Sequence, residues 1–118
     1  MNNPVNEWIG EGKIITDLAL QHTRDSSRPV LNMLLSVESH YKSKKNTEED
    51  HVIKKRYAKI PLVAWHGKAE HVYESFQRND KVRVRGTLRT RLVERNGVKY
   101  SAFEIVVDDM LLLHRQEV

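Results

Sequence analysis

One stretch constrains this chain more than any other: Lys81-Val82-Arg83-Val84-Arg85-Gly86-Thr87-Leu88-Arg89-Thr90-Arg91-Leu92. Strict alternation of this kind reads as a β-strand, because successive side chains of a strand point to opposite faces. Val82, Val84, Leu88 and Leu92 share one face, and Arg83, Arg85, Thr87, Arg89 and Arg91 share the other. The first face suits a core and the second an anion. A single outward arginine on a sheet is ordinarily just solvated. Arginines at every second position repel one another unless something anionic lies across them, which points to a polyanionic partner. Gly86 interrupts the run, and a glycine inside a strand marks a bulge or a bend at a barrel corner.

Composition narrows the possibilities. With 118 residues the chain has room for one domain and one core, so 1–118 is read as a single unit. The pI near 9.4 is compatible with a nucleic-acid partner, and the basic residues crowd into 42–59 and 81–95. No cysteine is present, which excludes a disulfide framework and thiol chemistry and fits a reducing cytoplasm. The first residues lack the pattern of a signal peptide, and no apolar run reaches the length of a membrane span. The expected location is cytoplasmic, with no membrane partner.

A first strand is expected over 6–20, where Trp8, Gly10, Gly12, Ile14, Leu18 and Leu20 face inward and the two glycines leave space for sharp curvature. Trp8 suits a core or a subunit interface. After a polar turn at 21–27, residues 30–38 alternate again, with Leu31, Met33, Leu35 and Val37 inward. Residues 39–51 are nearly all polar and read as a flexible loop. Within it Lys42, Lys44 and Lys45 beside Tyr41 could grip a flexible strand, although a solvated lysine loop would look the same. The third strand, 52–65, carries Lys55, Tyr57, Lys59, Pro61, Val63 and Trp65 on one face. Lysine, tyrosine, lysine supplies cations for phosphates and a flat ring for a base. Pro61 cannot donate to a ladder, so the strand should be at an edge or broken there.

Ala69, Val72, Tyr73 and Phe76 fall on one stripe of a helix expected over 68–78, with Asn79 as its left-handed stop. Asn96-Gly97 is a tight-hairpin signal. The apolar run 98–113 follows as a fifth strand, expected to be buried on both faces, by the core and by another subunit. The fold class is therefore all-β: a five-stranded OB-fold Greek-key barrel with one short α-helix between strands 3 and 4.

Several segments resemble the bacterial single-stranded DNA-binding protein family in order and spacing. They are Val5-Asn6, then Val30-Leu31-Asn32-Met33-Leu34-Leu35-Ser36-Val37, then Val63-Ala64-Trp65-His66-Gly67-Lys68-Ala69-Glu70. Further on come Val82-Arg83-Val84-Arg85-Gly86-Thr87-Leu88-Arg89-Thr90-Arg91 and Glu104-Ile105-Val106-Val107-Asp108-Asp109-Met110-Leu111-Leu112-Leu113. The resemblance implies an OB-fold that binds single-stranded DNA largely independently of sequence in replication, recombination or repair. It also implies a homo-oligomer, a tetramer ahead of a dimer, and contacts with replication or recombination proteins. The sequence departs from the pattern in three places. Tyr57-Ala58-Lys59-Ile60-Pro61-Leu62-Val63 is more similar to primosomal replication protein N, a dimeric relative. Leu92-Val93 stands where an aromatic is usual. The sequence stops at Val118 without an acidic tail; if it is complete, recruitment of enzymes by that route is not expected.

The site expected on these grounds has Tyr57, Trp65 and Tyr41 as stacking platforms. Lys55, Lys59, Arg83, Arg85, Arg89, Arg91, Lys42, Lys44 and Lys45 are its phosphate ligands. The alternative is an assembly module that binds a protein partner and only weakly binds DNA or RNA. Catalysis is not expected. The histidines are scattered, His66 and His71 lack a companion ligand set, Glu48, Glu49 and Asp50 read as solvated charges, and no glycine-rich phosphate loop is present. Neither a cofactor nor a metal is called for. Stacking and phosphate contacts alone do not separate DNA from RNA.

Overall fold

The computed structural model describes residues 4–42 and 53–116. Its elements are β1 (Trp8–Ile14), β2 (Gln21–His22), β3 (Pro29–Lys42), β4 (Ile53–Trp65), α1 (His66–Ser75), β5 (Lys81–Arg95) and β6 (Val98–His114). The strands follow the order β1-β5-β6-β4-β3-β2, and a further β1–β3 pairing closes five of them into a barrel. All pairings are antiparallel except β4–β6, which meet in parallel at Leu62–Ile105 and Val63–Val106. The expected OB-type barrel is thus present, and the two-residue β2 is an addition to it. Among the described residues no helix is long and apolar enough to cross a membrane.

The inward residues build one core. Ile14, Leu31, Met33, Leu35, Leu62, Ala64, Val82, Val84, Ile105 and Val107 fill the barrel, and Ala69, Val72 and Phe76 of the helical segment cover one end. Each large aliphatic side chain buried this way contributes roughly 1.5 to 3 kcal/mol. Closure depends on close backbone approach at two glycines. A Cβ on Gly12 would run into the Ser36 carbonyl, and one on Gly86 would meet the Val106 carbonyl and the Ile105 side chain. At Gly86 the register slips from Arg85–Asp109 to Gly86–Val107, which leaves Asp108 as the extra residue of a bulge. The sequence expectation for Gly86 is met.

Several boundaries differ from the pattern-based reading. The first strand ends at Ile14, not at residue 20, because Thr16 turns the chain over β3: the Ile15 N–H donates to the Leu34 carbonyl, and the Leu34 N–H donates to Thr16 Oγ1. Leu18 and Leu20 still pack on the core from the connection that follows. On the other side β3 continues to Lys42, so residues 39–42 are strand where a loop was expected. Beyond the barrel β3 and β4 pair as an arm solvated on both faces, which removes the hydrophobic alternation by which strands are read. Lys44 and Lys45 lie outside the described residues.

Pro61 does not break β4, and it stands where the strand is open on one side, as expected: the parallel pairing with β6 begins only at Leu62. Both backbone groups of its partner Leu34 are engaged on the far side by residues 15 and 16, so Leu34–Pro61 is a non-hydrogen-bonded pair and the missing N–H costs β3 nothing. The helix runs from His66 to Ser75, and the backbone is already extended at Phe76. Asn79 is left-handed as expected, with φ of 78°, yet it serves the turn into β5 instead of ending the helix. Its N–H donates to the Ile14 carbonyl.

The Asn96-Gly97 hairpin forms, both residues having positive φ. Beyond Gly86 and Ile105, β5 and β6 leave the barrel as a second arm. Within this protomer the core buries the last strand only around Glu104–Val107, not along its length, and Tyr100, Phe103, Leu111, Leu112 and Leu113 are exposed.

Candidate nucleic-acid interface

The β3–β4 arm places Lys55, Tyr57 and Lys59 on one face, because alternate residues of a strand share a side. Cross-strand pairing sets them opposite His40, Glu38 and Ser36. Tyr57 is 64% exposed, with its ring available to a flat partner. Its hydroxyl donates to Glu38 Oε1 at 3.2 Å, while Lys55 Nζ lies 3.4 Å from the same oxygen and His40 Nε2 3.6 Å from the other. Desolvation is the largest influence on the Glu38 carboxyl and pushes its pKa up. The hydrogen bonds from Lys55 and Tyr57, with the charges of Lys55 and His40, outweigh it and hold the carboxyl below the usual glutamate value. Glu38 thus pins the ring and the lysine side by side.

Below Tyr57 lies a groove of about 880 Å³, lined also by Lys13 and Glu11 of β1, Lys81 of β5 and His114 of β6. These residues come together because Lys13 pairs with both Ser36 and Lys81 across the closure of the barrel. Sequence reasoning missed Lys13, His40 and His114 as members of this surface and used Lys81 only to mark the start of a strand. Their only signal was outward parity on separate strands; which strands would be neighbours was not written locally.

The arginine stripe is outward-facing, but it is not the bare cationic surface that the alternation suggests. Arg83 Nε lies 3.1 Å from Glu11, and Arg85 pairs with Asp109, which raises the pKa of the Arg85 guanidinium. Farther along, Arg89 Nε and Arg91 Nε lie 3.0 and 3.5 Å from the two oxygens of Glu104. Neighbouring strands therefore relieve the mutual repulsion that the sequence alone left uncompensated. Arg89 also stands over the Trp65 ring, 5.9 Å from its centroid. That ring is half-buried, and its Nε1–H finds no hydrogen-bond partner among the described residues.

Not all of the expected site residues meet. Trp65 is eight positions from Tyr57 along β4, roughly 26 Å at the usual rise per residue, and lines a different recess with Arg28, Thr23 and Arg89. Tyr41 has the opposite parity to Glu38, so it occupies the other face of the arm from Tyr57. There the Arg56 guanidinium covers its ring at 3.8 Å from the centroid. Lys42 closes β3.

Comparison with known proteins places this geometry in context. A model of the "Single-strand binding protein family" matches residues 5–113. Among solved structures, the chain is similar to one described as Plasmodium falciparum SSB in complex with ssDNA. The TM-score is 0.79 at 13% identity, over 97% of this chain and 99% of that one, a likeness of fold. No curated protein matched the sequence.

Proposed function

Because the chain belongs to the single-strand binding protein family, we propose that it binds single-stranded DNA largely independently of sequence and protects or organises it in the cytoplasm during replication, recombination or repair. The observation that carries the reading is the exposed row Lys55–Tyr57–Lys59 above a groove lined by Lys13 and Lys81. Phosphates pair with cations that tolerate any sequence, and bases stack on a ring that accepts any base. Trp65 with Arg89 forms a second station for the strand at the root of the β5–β6 arm, and Arg91 continues it into the neighbouring recess. Arg83 and Arg85 contribute where a phosphate displaces Glu11 or Asp109. The reading requires no bond to be made or broken, so no catalytic residue is assigned. The exposed apolar residues of β6 support self-association, and the family resemblance puts a tetramer ahead of a dimer.

The test is a titration with labelled oligo(dT) of increasing length at two salt concentrations, with duplex and RNA of matched length as controls. We expect preference for the single strand, quenched tyrosine or tryptophan emission, and stoichiometry that steps with length. Weak binding that shows no preference for single strands and vanishes at modest salt would overturn the reading in favour of an assembly module.

A further inference from the structure

Glu104 is the unexplained residue of the candidate interface. It is 5% exposed, yet it sits at the root of the β5–β6 arm, where its neighbour Phe103 is half exposed. A buried carboxylate is costly unless its partners are well placed. Arg89 is its direct cross-strand partner, and Arg91 lies two residues farther along the same face, within the diagonal reach of a long side chain. Each oxygen takes one arginine, and in both cases the guanidinium presents its Nε edge. Arg89 hydrogen-bonds Glu104 and Arg91 pairs with it as an ion; among the described residues neither guanidinium makes a hydrogen bond to any other side chain, and both are about half exposed or more. The two then diverge. Arg89 lines the recess of about 510 Å³ beside Trp65 and Arg28, and Arg91 lines one of about 310 Å³ beside Asn32 and Pro61.

Such an ion triad could have two opposite effects on an anionic strand. As a screen, the carboxylate would cancel part of the arginines' charge and weaken binding. As a brace, it would hold two flexible side chains by their inner edges and leave the outer Nη edges directed to solvent. Burial decides between these. A carboxylate sunk beneath the guanidinium groups cannot follow them into solvent, and the ordering entropy of the two side chains is then spent before a ligand arrives. Arg89 and Arg91 are about 6.6 Å apart along the strand, comparable with the separation of neighbouring phosphates in an extended chain.

We propose that Glu104 is a positioning residue that pre-sets Arg89 and Arg91 as a fork for two successive phosphates of a single strand passing between the Trp65 and Pro61 recesses. The proposal rests on the single-strand reading above. Its test uses oligo(dT) binding across a salt series for the wild type, Glu104→Gln and Arg89→Lys. The brace predicts that Glu104→Gln binds about tenfold more weakly although the protein gains positive charge, with a salt slope shallower by about 0.7 for each phosphate that is no longer paired. Arg89→Lys keeps the charge but has no Nε edge to offer. It should lose a similar factor alone and nothing further in the Glu104→Gln background. Arg89→Lys alone carries the test if the neutral variant does not fold. Tighter binding and a steeper slope for Glu104→Gln, or an Arg89→Lys variant that binds like wild type, would overturn the brace while leaving the single-strand reading intact. A wild type that ignores single strands would overturn both.

Discussion

Tyr57 and its surroundings show how one side chain's role depends on what its neighbours leave free. The hydroxyl is anchored on Glu38, so the ring is held without being covered. Stacking a base on such a ring is worth roughly 1 to 3 kcal/mol, whereas an exposed lysine contributes less and is screened by salt. Tyr57→Ala should therefore weaken oligo(dT) binding more than either Lys55→Ala or Lys59→Ala, and Tyr57→Phe should stay close to wild type. Equal losses for the alanine variants, measured by fluorescence titration, would remove Tyr57 from the stacking role. Lysine-tyrosine-lysine at alternate positions was legible without a structure, because strand parity is local. Glu38 was not: it pairs with Tyr57 across 19 positions of sequence, and nothing in the 30–38 alternation distinguishes it from any other outward acid.

Among the elements, β5 and β6 carry the most information and the largest surprise. Gly86 is buried where β5 crosses the bulge in β6. Forcing a side chain there pushes against backbone, which cannot rotate away; Gly86→Val should cost roughly 1 to 3 kcal/mol or more, the usual range for overpacking. Gly67, in the first turn of α1, has open space around the missing Cβ. Gly67→Ala should instead stabilise by roughly 0.5 to 1 kcal/mol. Urea denaturation of both variants checks the contrast, and a neutral Gly86→Val would refute the close-approach argument. Hairpin, bulge glycine and inward valines were all readable from the alternation. Exposure of Leu88 and Leu92 was not, since alternation assigns residues to faces but does not say where a face leaves the barrel. Nor did it announce Glu11, Asp109 and Glu104 beside the arginines, whose places are set by the registers of two other strands.

At the scale of the whole molecule, closure is secured by a latch between distant parts of the chain. Asp80 is 1% exposed. It accepts from Arg115 Nε at 3.0 Å and Nη2 at 2.8 Å and from the Gln77 N–H at 3.0 Å, while Arg115 also donates to the Ser75 carbonyl. The latch joins the end of α1, the start of β5 and the segment beyond β6, and the Asp80 carbonyl accepts from the Ile14 N–H at the end of β1. The Arg115 hydrogen bonds lower the Asp80 pKa, against the opposing effect of burial and with help from Gln77. A carboxyl with a depressed folded-state pKa adds stability that is fully present above its unfolded value of about 3.9. That stability is lost as the pH falls through the folded-state pKa. Asp80→Asn should cost about 2 kcal/mol at neutral pH, typical of hydrogen bonds to charged groups, and should flatten the acid limb of a plot of stability against pH. An unchanged acid limb would show that the latch does not contribute. By itself the sequence determined the strands' faces, the hairpin turn, the bulge glycine and the inward Ala69 and Val72 of the helix, because each is written in residues a few positions apart; Tyr73 of the expected stripe is exposed, and Phe76 lies just past the helix end. Only the tertiary structure decided which carboxylates meet the arginines, that Tyr41 and Tyr57 lie on opposite faces of one arm, and that Lys13 and Lys81 complete the groove. Those facts depend on register and closure between strands far apart in the chain, which no local period encodes.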